Sequence, residues 1–408
     1  MRHIYIIDEH QSSKQNGIGT YISQLLKCFE DCIYNVTLLS FNADEREFST
    51  NKHATYTEYH VPTCGKNGFL NNGALSLSLL RLYIDDSRDN IFFVNHFPCD
   101  RFLHVLKKLF PLSYTIFVIH DQGWCAPLLG DADMFRKVLT GTYCPKKNKQ
   151  IWQHIRNLTT REKCLYRKAD KIVALSFTTY KLLQELYDVP ASKIHLIPNG
   201  LQAPSITRDS DSSMLRKEYG IGEDEIILLY TGRTSPSKGI IPMLEAFELA
   251  WREEHKLRLV IAGGVYTFNE FAKHTPTSAM HITYTGLLAK DQLSRLYKMA
   301  DIGILPSYTE QSSYTGIEML AYGKLVITTD GHNLTDMFSD GTAIIAHIGE
   351  NRTKGQAEFV ASLRTAITAA LTLSEDSKSK IRNQAHQHYE NSFSFHNWKA
   401  SYTRLISE

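Results

Sequence analysis

Hydrophobic residues along the chain fall in short continuous runs that alternate with helical patterns nearly throughout. Strands that are apolar on both faces are typical of a parallel sheet covered by helices on either side. The predicted strands are 3–8, 35–41, 90–96, 114–121, 171–176, 193–198, 225–232, 257–263, 281–285, 302–306, 325–329 and 343–347. The predicted helices include 19–30, 70–83, 101–110, 237–254, 290–300, 313–322, 356–373 and 374–389. The alternation therefore predicts an α/β fold with parallel sheets.

A polar segment at residues 201–213 interrupts this alternation. It contains QAPSITRDSDSS and has no apolar periodicity, which is typical of a linker between domains. A chain of 408 residues is also too long for one ordinary core. We therefore expect two doubly wound domains, at 1–200 and 214–388, joined by the linker at 201–213 and followed by a terminal helical segment at 389–408.

Composition excludes several classes of protein. Hydrophobic residues make up 43% and charged residues 22% of the chain, which suits a globular protein with a full core. The seven cysteines are scattered and form no CxxC, which favours reduced thiols in a cytoplasmic protein over a disulfide framework or zinc site. No apolar run reaches about 18 residues, so no membrane span is expected.

Residues 145–171 form a basic segment. Nine lysines and arginines stand against two acidic residues, so the local excess is 9 − 2 = +7. Two interpretations stay open: a solvated helix face, or a surface that contacts an anionic membrane or an anionic acceptor. No nucleic-acid-binding motif accompanies the charge and the net charge is only +2, so nucleic acid is not an expected partner.

Two glutamates flank the predicted start of a helix that follows the strand ending at Pro306. Glu310 lies before the helix and Glu318 lies inside it. Ligands of parallel sheets bind at the carboxyl ends of strands, where helix N-termini favour an anion. Since Glu310 and Glu318 cannot reach the same atoms, we expect them to hold different parts of one elongated, hydroxyl-rich, anionic ligand.

The sequence YTGRTSPSKG, at 230–239, places two cations after another strand. Gly232 ends the strand, Arg233 follows, and Lys238 stands near the start of the next helix. Arginine offers a planar fork and lysine a point charge, so the two can converge on a diphosphate. Because helix N-termini disfavour cations, we favour an anionic ligand over ordinary solvent-exposed charges.

Further candidates follow other strands. Gly17 and Gly19, in KQNGIGTY, allow a ligand to approach the backbone closely, although a plain turn explains them equally well. His120 ends an apolar strand and is a candidate ligand contact, although a histidine at a strand end can also be purely structural. Asn199 lies in the turn IPNG before the linker, where we expect a hinge or an inter-domain contact. The small and apolar residues of 262–264 and of TGLL at 285–288, which includes Leu287, also end strands. They either form a slot for a nucleobase or serve only the packing of strand against helix.

Two DxD sequences, at 131–133 and 209–211, match the metal–diphosphate signature of another transferase class. Neither follows a strand, so we interpret both as chance and expect no metal. The chain has no Walker A, HExxH or GxSxG motif.

Taken in order, the glycine loop, the strand-end HD, IPNG, GRTSPSKG and the E-x7-E pair resemble the retaining GT-B glycosyltransferases of family 4. The resemblance covers nearly the whole chain. It implies two Rossmann-like domains that face each other across a cleft, with the acceptor on the first, a nucleotide sugar on the second, and a terminal helix that returns to the first. It also implies transfer from a UDP-sugar, such as UDP-glucose or UDP-GlcNAc, to a glycan, lipid-linked or peptide acceptor, without a metal or other cofactor.

The resemblance also implies residue roles. Arg233 and Lys238 would hold the donor diphosphate, and Glu318 would bind the ribose hydroxyls. Glu310 would lie beside the transferred sugar and His120 would contact its hydroxyls. Gly17 and Gly19 would belong to the loop that closes over that sugar.

One segment departs from the family pattern. Gln311, Ser312, Ser313 and Tyr314 stand where the family has a glycine-rich stretch whose backbone N–H groups meet the phosphate. Backbone donors survive any side chain, but we expect the donor-sugar pocket to be reshaped here.

The alternative from another class is a catalytically silent GT-B subunit that binds a glycosylated or anionic partner. Such a protein has no chemical need for both carboxylates and both cations, so we favour the enzyme. A phosphorylase of the same fold would need a pyridoxal lysine, for which the sequence offers no convincing site.

Overall fold

The computed structural model describes residues 2–9, 17–41, 47–62, 76–96, 99–142, 149–204, 212–264, 268–339, 341–350, 352 and 356–408. The chain divides into two compact units. The first consists of Met1–Trp124, Asp133–Gly200 and Phe395–Glu408, and the second of Cys125–Ala132 and Leu201–Ser394. One short segment from the first half of the sequence therefore belongs to the second unit.

The first unit is built on a sheet that has eight strands among the described residues. They are β1 (His3–Glu9), β2 (Asn35–Phe41), β3 (Ser49–Lys52), β4 (Thr57–Val61), β5 (Asn90–Val94), β6 (Tyr114–Ile119), β7 (Lys171–Ala174) and β8 (Ile194–Leu196). Their order across the sheet is β3-β4-β2-β1-β5-β6-β7-β8. Neighbouring strands run parallel, except that β3 and β4 are antiparallel.

The second unit is built on a parallel sheet that has six strands in the described part of the chain. They are β9 (Ile226–Thr231), β10 (Leu257–Ala262), β11 (Ile282–Gly286), β12 (Ile302–Leu305), β13 (Leu325–Thr329) and β14 (Ile344–Ala346). Their order is β11-β10-β9-β12-β13-β14. The direction of strand addition reverses between β9 and β12, and in open α/β sheets such a switch point is where ligands bind.

Helices connect the strands and cover the sheets. They are α1 (Gly17–Phe29), α2 (Asp100–Leu109), α3 (Ala132–Thr140), α4 (Lys149–Lys168), α5 (Phe177–Tyr187), α6 (Ser212–Glu218), α7 (Ile240–Trp251), α8 (Phe268–Ala272), α9 (Lys290–Met299), α10 (Tyr314–Ala321), α11 (Ala357–Thr372), α12 (Glu375–Ser392) and α13 (Phe395–Ser407). Among the described helices, none combines the length and the apolar character that crossing a membrane requires.

The predicted fold class is confirmed: both units are α/β with parallel sheets. Strands such as β5 and β13 are buried along their whole length, which is why their sequences are continuously apolar. Strands β3 and β4 were not predicted, because an antiparallel pair at a sheet edge is largely polar and has no apolar run. The predicted helix at 70–83 lies partly outside the described residues.

The terminal helix α13 belongs to the first unit and packs against α1. The hydroxyl of Tyr21 donates a hydrogen bond to that of Tyr402 across 2.8 Å, and the ring of Trp398 meets the Tyr21 ring edge to face at 5.8 Å. Tyr21 and Tyr402 are fully buried. Because large buried aromatic contacts dominate core energetics, α13 is an integral part of this unit's core.

Candidate active site

The carboxyl edge of the second sheet collects most of the predicted site residues. Gly232 follows β9, Leu287 follows β11, and Glu310 follows β12 by a short loop. Neighbouring strand ends are joined by main-chain bonds, such as the 2.9 Å bond from the Gly232 N–H to the Ala262 carbonyl. Leu287 is 80% exposed. These residues therefore lie along one edge of one sheet, and Gly232 and Glu310 follow the two strands that flank its switch point.

Lys238 and Glu310 form an ion pair at this edge. The Lys238 ammonium lies 2.7 Å from Glu310 Oε1, and the Ser307 hydroxyl donates to the same oxygen at 2.7 Å. Both charged side chains are largely buried, at 19% and 11% exposure. The lysine near the helix start thus has an anionic partner within the chain, and an incoming anion would compete with Glu310 for it.

Gly239 allows the loop that follows β9 to approach the end of β12 closely. Its φ of 66° is in the left-handed region, and a Cβ built there would lie 1.9 Å from the Pro306 carbonyl oxygen. Only glycine fits such a position without displacing the backbone. The glycine after Lys238 is therefore a condition for the Lys238–Glu310 contact.

The main chain of Glu310 is fixed on both sides. Its N–H donates to the His332 carbonyl at 3.1 Å, and the Asn333 side chain donates to its carbonyl at 2.6 Å. Ser307, His332 and Asn333 were not predicted as site residues. The last two follow β13, so their position at the end of a strand could have suggested them.

Arg233 differs from Lys238. Its side chain is exposed and makes no ion pair or hydrogen bond within the described residues, while its carbonyl accepts a short hydrogen bond from the Tyr230 hydroxyl. An exposed guanidinium beside a paired lysine leaves one cation at this edge available to a ligand.

Ser313 begins the helix that follows Glu310. As N-cap of α10 it accepts a hydrogen bond from the Gly316 N–H at 3.3 Å, while its own N–H points to the Met337 sulfur at 3.2 Å. Gln311 and Ser312 are also buried. Ser313 therefore serves the helix start, and the predicted donor contacts of Gln311, Ser312, Ser313 and Tyr314 stay predictions.

Glu318, the fifth residue of α10, is held by a neighbour from α9. The Tyr297 hydroxyl donates to Glu318 Oε2 at 2.7 Å and lies 2.7 Å from the Thr231 hydroxyl at the end of β9. Burial raises the pKa of the Glu318 carboxyl to about 7, against the opposing effects of the Tyr297 hydrogen bond and the charge of Lys290. No sequence motif links Tyr297 or Thr231 to Glu318, so both were missed.

The remaining candidates lie in the first unit. Gly17 and Gly19 occupy the first turn of α1, and Asn199 is buried after β8.

His120 follows β6, its ring meets the edge of Tyr21 at 4.5 Å, and its buried Nε2 has no hydrogen-bond partner in the described part of the chain. Burial, with a smaller effect of His96, lowers the pKa of His120 to about 3, so the ring is neutral near pH 7. Its role towards a sugar stays a prediction.

A buried glutamate anchors the loop after His120. Glu162 Oε1 accepts from the Gly123 N–H at 2.7 Å, and Oε2 accepts from the Tyr187 hydroxyl at 2.5 Å. Burial raises the pKa of Glu162 to about 7, against both hydrogen bonds, and the charge of Asp121 adds to the increase. The sequence shows Glu162 only as one of two acidic residues within the basic segment.

The basic segment is partly neutralised within the first unit. Lys146 and Lys147 lie outside the described residues. Three of its other cations form ion pairs: Arg161 with Asp100 at 2.6 Å, Lys163 with Asp188 at 3.2 Å, and Lys171 with Glu408 at 3.2 Å. A fourth, Arg156, donates a hydrogen bond to the Val138 carbonyl at 2.9 Å. These four residues favour the solvated-face interpretation, and contact with an anionic membrane stays a prediction.

The first DxD sequence has a structural role. Asp133, in the first turn of α3, pairs with Arg136 at 3.0 Å. The second, at 209–211, lies outside the described residues. Within the described ranges, no group of three or more histidine, cysteine, aspartate or glutamate side chains is arranged to hold a metal ion.

Glu162→Gln should change the pH dependence of stability. A raised pKa means that the folded state holds this proton more tightly than the unfolded chain, so the associated stability is lost as pH rises from about 4.5 through about 7. Glutamine stays neutral. The variant should therefore gain about 2 kcal/mol of unfolding free energy relative to the natural chain between about pH 5 and pH 8, by urea titration.

The control is Glu30→Gln, which changes an exposed carboxylate of the same unit. Its stability difference from the natural chain should not follow pH in this way. A pH-independent difference for Glu162→Gln would contradict the burial of an ionisable carboxyl behind the His120 loop.

Two family models match the chain. "Glycosyltransferase Family 4" matches residues 15–203, and "Glycosyl transferases group 1" matches residues 211–386. The lipopolysaccharide 1,2-N-acetylglucosaminetransferase of Salmonella typhimurium is 30% identical over 253 residues, which cover 59% of this chain and 61% of that protein. The chain spans about half the length of the curated relatives that it matches.

Solved structures share the fold over the full length. Sucrose-phosphate synthase from Thermosynechococcus elongatus superposes with a TM-score of 0.77 at 15% identity, covering 100% of this chain and 98% of that one. HepE from Anabaena, in complex with UDP-glucose, superposes with a TM-score of 0.70 at 14% identity over 100% of both chains. The first family model covers most of the first half of the chain, the second covers most of the second half, and solved structures share the architecture over the whole chain. The chain therefore belongs to the family 4 glycosyltransferases of the GT-B fold.

Proposed function

We propose that the protein transfers a sugar from a nucleotide sugar bound at the carboxyl edge of the second sheet to a hydroxyl-bearing acceptor. The observation that carries this proposal is the Lys238–Glu310 pair, held at 2.7 Å at the sheet's switch point beside the exposed Arg233. A lysine, an arginine and a carboxylate at the ends of two neighbouring strands suit a diphosphate attached to a sugar.

The ion pair suggests how donor binding prepares the site. A diphosphate carries more negative charge than one carboxylate and competes with Glu310 for the Lys238 ammonium. Glu310 is then released towards the sugar, and Arg233 adds a planar pair of donors. Both cations neutralise charge that develops on the departing diphosphate, which is where electrostatic catalysis has its largest effect. The proposal therefore needs no metal ion.

The nucleoside would lie along α10 and the end of β11. Glu318, oriented by Tyr297, offers a carboxylate oxygen to the ribose hydroxyls. Leu287, largely exposed, offers an apolar surface to the base. Together they bind the part of the donor that does not react, and such binding positions the part that does.

Two comparisons support the choice of donor and acceptor. HepE, with the same fold, was solved with UDP-glucose, and the Salmonella relative is named for N-acetylglucosamine transfer to lipopolysaccharide. We therefore propose UDP-glucose or UDP-GlcNAc as donor, a glycan or lipid-linked acceptor ahead of a peptide, and retention of the anomeric configuration. A silent binding subunit is not favoured, because it has no use for a lysine held against a carboxylate at the donor edge.

A donor screen tests the proposal. UDP-, GDP- and ADP-sugars should be compared by thermal shift, since a ligand at about a hundred times its Kd adds about 2.7 kcal/mol to the folded state. UDP-sugars should give the largest increase in Tm. Their turnover should persist in EDTA, and NMR of the product should show the anomeric configuration of the donor. An inverted product, or activity abolished by EDTA, would contradict the proposed chemistry.

Tyr297→Phe should weaken nucleotide binding. The change removes the hydroxyl that orients Glu318, and one net hydrogen bond corresponds to about a three- to tenfold increase in the Kd for UDP. Tyr322→Phe is the matched control, because its ring stacks on Tyr297 at 5.0 Å but its hydroxyl donates to Ser294. Calorimetry should show the loss only for Tyr297→Phe; equal affinities for both variants would remove Tyr297 from the site.

A further inference from the structure

We propose that the segment Cys125–Ala132 positions the loop that carries Glu310. The segment comes from the first half of the sequence but belongs to the second unit. A role of the segment in turnover rests on the proposed function, in which Glu310 faces the transferred sugar. The contact itself involves only residues of the second unit and does not depend on the proposed function.

The segment is a tight turn closed on itself. The Gly130 N–H donates to the Cys125 carbonyl at 2.8 Å, and the Leu129 N–H donates to the Ala126 carbonyl at 3.2 Å. Leu129 and Gly130 both have left-handed backbone, with φ of 48° and 67°. A leucine rarely adopts this conformation, and such backbone persists where the surroundings hold it in place.

Gly130 lies directly on the loop beside Glu310. A Cβ built on it would lie 2.6 Å from the Tyr308 carbonyl oxygen and 2.9 Å from the Cβ atoms of both Thr309 and His332. Thr309 and His332 are joined by a parallel bridge, and the His332 carbonyl accepts from the Glu310 N–H. The segment therefore packs on the backbone that fixes Glu310, at a distance that admits no side chain.

Two further contacts hold the turn in place. An N–H of Arg352 donates to the Leu129 carbonyl at 2.9 Å, and the Gln311 side-chain amide lies 3.9 Å from the Cys125 sulfur as a weak donor. Leu129 also packs against the core cluster that contains Tyr308. The segment thus contacts residues on both sides of Glu310 in the chain.

The segment contacts the loop that carries Glu310, and none of its described contacts is with a residue proposed to bind the nucleotide. The contacts described for the segment involve Tyr308, Thr309, Gln311, His332 and Arg352. The nucleotide contacts under the proposed function are instead Arg233, Lys238, Leu287 and Glu318. A displaced segment should move the sugar-facing carboxylate and leave the nucleotide contacts in place. A misplacement of about 1 Å at a reacting centre lowers turnover by up to about a hundredfold.

Gly130→Ala tests the inference by a difference between kcat and affinity. We expect kcat to fall by about ten- to a hundredfold while the Kd for UDP changes by less than about threefold. Gly220→Ala is the matched control, because Gly220 has a φ of 65° but nothing lies within 4 Å of its Cβ. It carries the same backbone strain without the contact, so its kcat should stay within about twofold of the natural chain.

Hydrogen exchange gives a second readout that needs no activity. The amides of Tyr308 and Glu310 are hydrogen-bonded in the natural chain and should exchange faster in Gly130→Ala and in Arg352→Ala, but not in Gly220→Ala. If the natural chain turned over no nucleotide sugar, the proposed function would fail, and exchange would still decide the packing role. If Gly130→Ala did not fold, Arg352→Ala would decide it.

Three results would overturn the inference. The first is a Gly130→Ala variant with the same kcat and exchange as Gly220→Ala. The second is a loss of UDP affinity in parallel with kcat, which would show that the segment supports the whole unit rather than the Glu310 loop. The third is unchanged exchange at Tyr308 and Glu310 in both test variants.

Discussion

The Lys238–Glu310 ion pair is the interaction on which the account of this site depends. Two largely buried opposite charges stabilise each other, whereas either charge alone would carry an uncompensated desolvation penalty of several kcal/mol. The pair holds a largely buried cation at this edge of the sheet. Under the proposed function, an anionic donor replaces Glu310 as the partner of Lys238, and donor binding releases the carboxylate.

The topology of the second sheet brings this pair together. β12 pairs with β9 in the sheet although two strands separate them in sequence, so the loops after both strands leave from adjacent positions. Because Gly239 has no side chain, the loop after β9 can lie directly against the Pro306 carbonyl. Hydrogen bonds with Ser307, His332 and Asn333 then fix the Glu310 loop. The fold thus supplies the position, and local hydrogen bonds supply the orientation.

The sequence predicted the parts of the structure that have a local pattern. Continuous apolar runs predicted the buried parallel strands. Lys238 and Glu310 were predicted as site residues because they are charged and follow two of these runs. Tyr297 could not be predicted, because its contact with Glu318 joins two helices through tertiary packing. The same holds for Cys125–Ala132, since no periodicity shows which sheet a turn packs against. The raised pKa of Glu162 could not be predicted, because it results from burial and not from the neighbouring sequence.

Under the proposed function, Lys238 binds the diphosphate of the donor. Calorimetry with UDP and with uridine, for the natural chain and Lys238→Ala, tests it most directly. Loss of one charge-assisted contact should weaken UDP binding by about ten- to a hundredfold, and uridine binding should not change. Glu310→Gln, which removes the competing carboxylate, should bind UDP at least as tightly as the natural chain. Equal losses for UDP and uridine, or no loss for UDP, would contradict the claim.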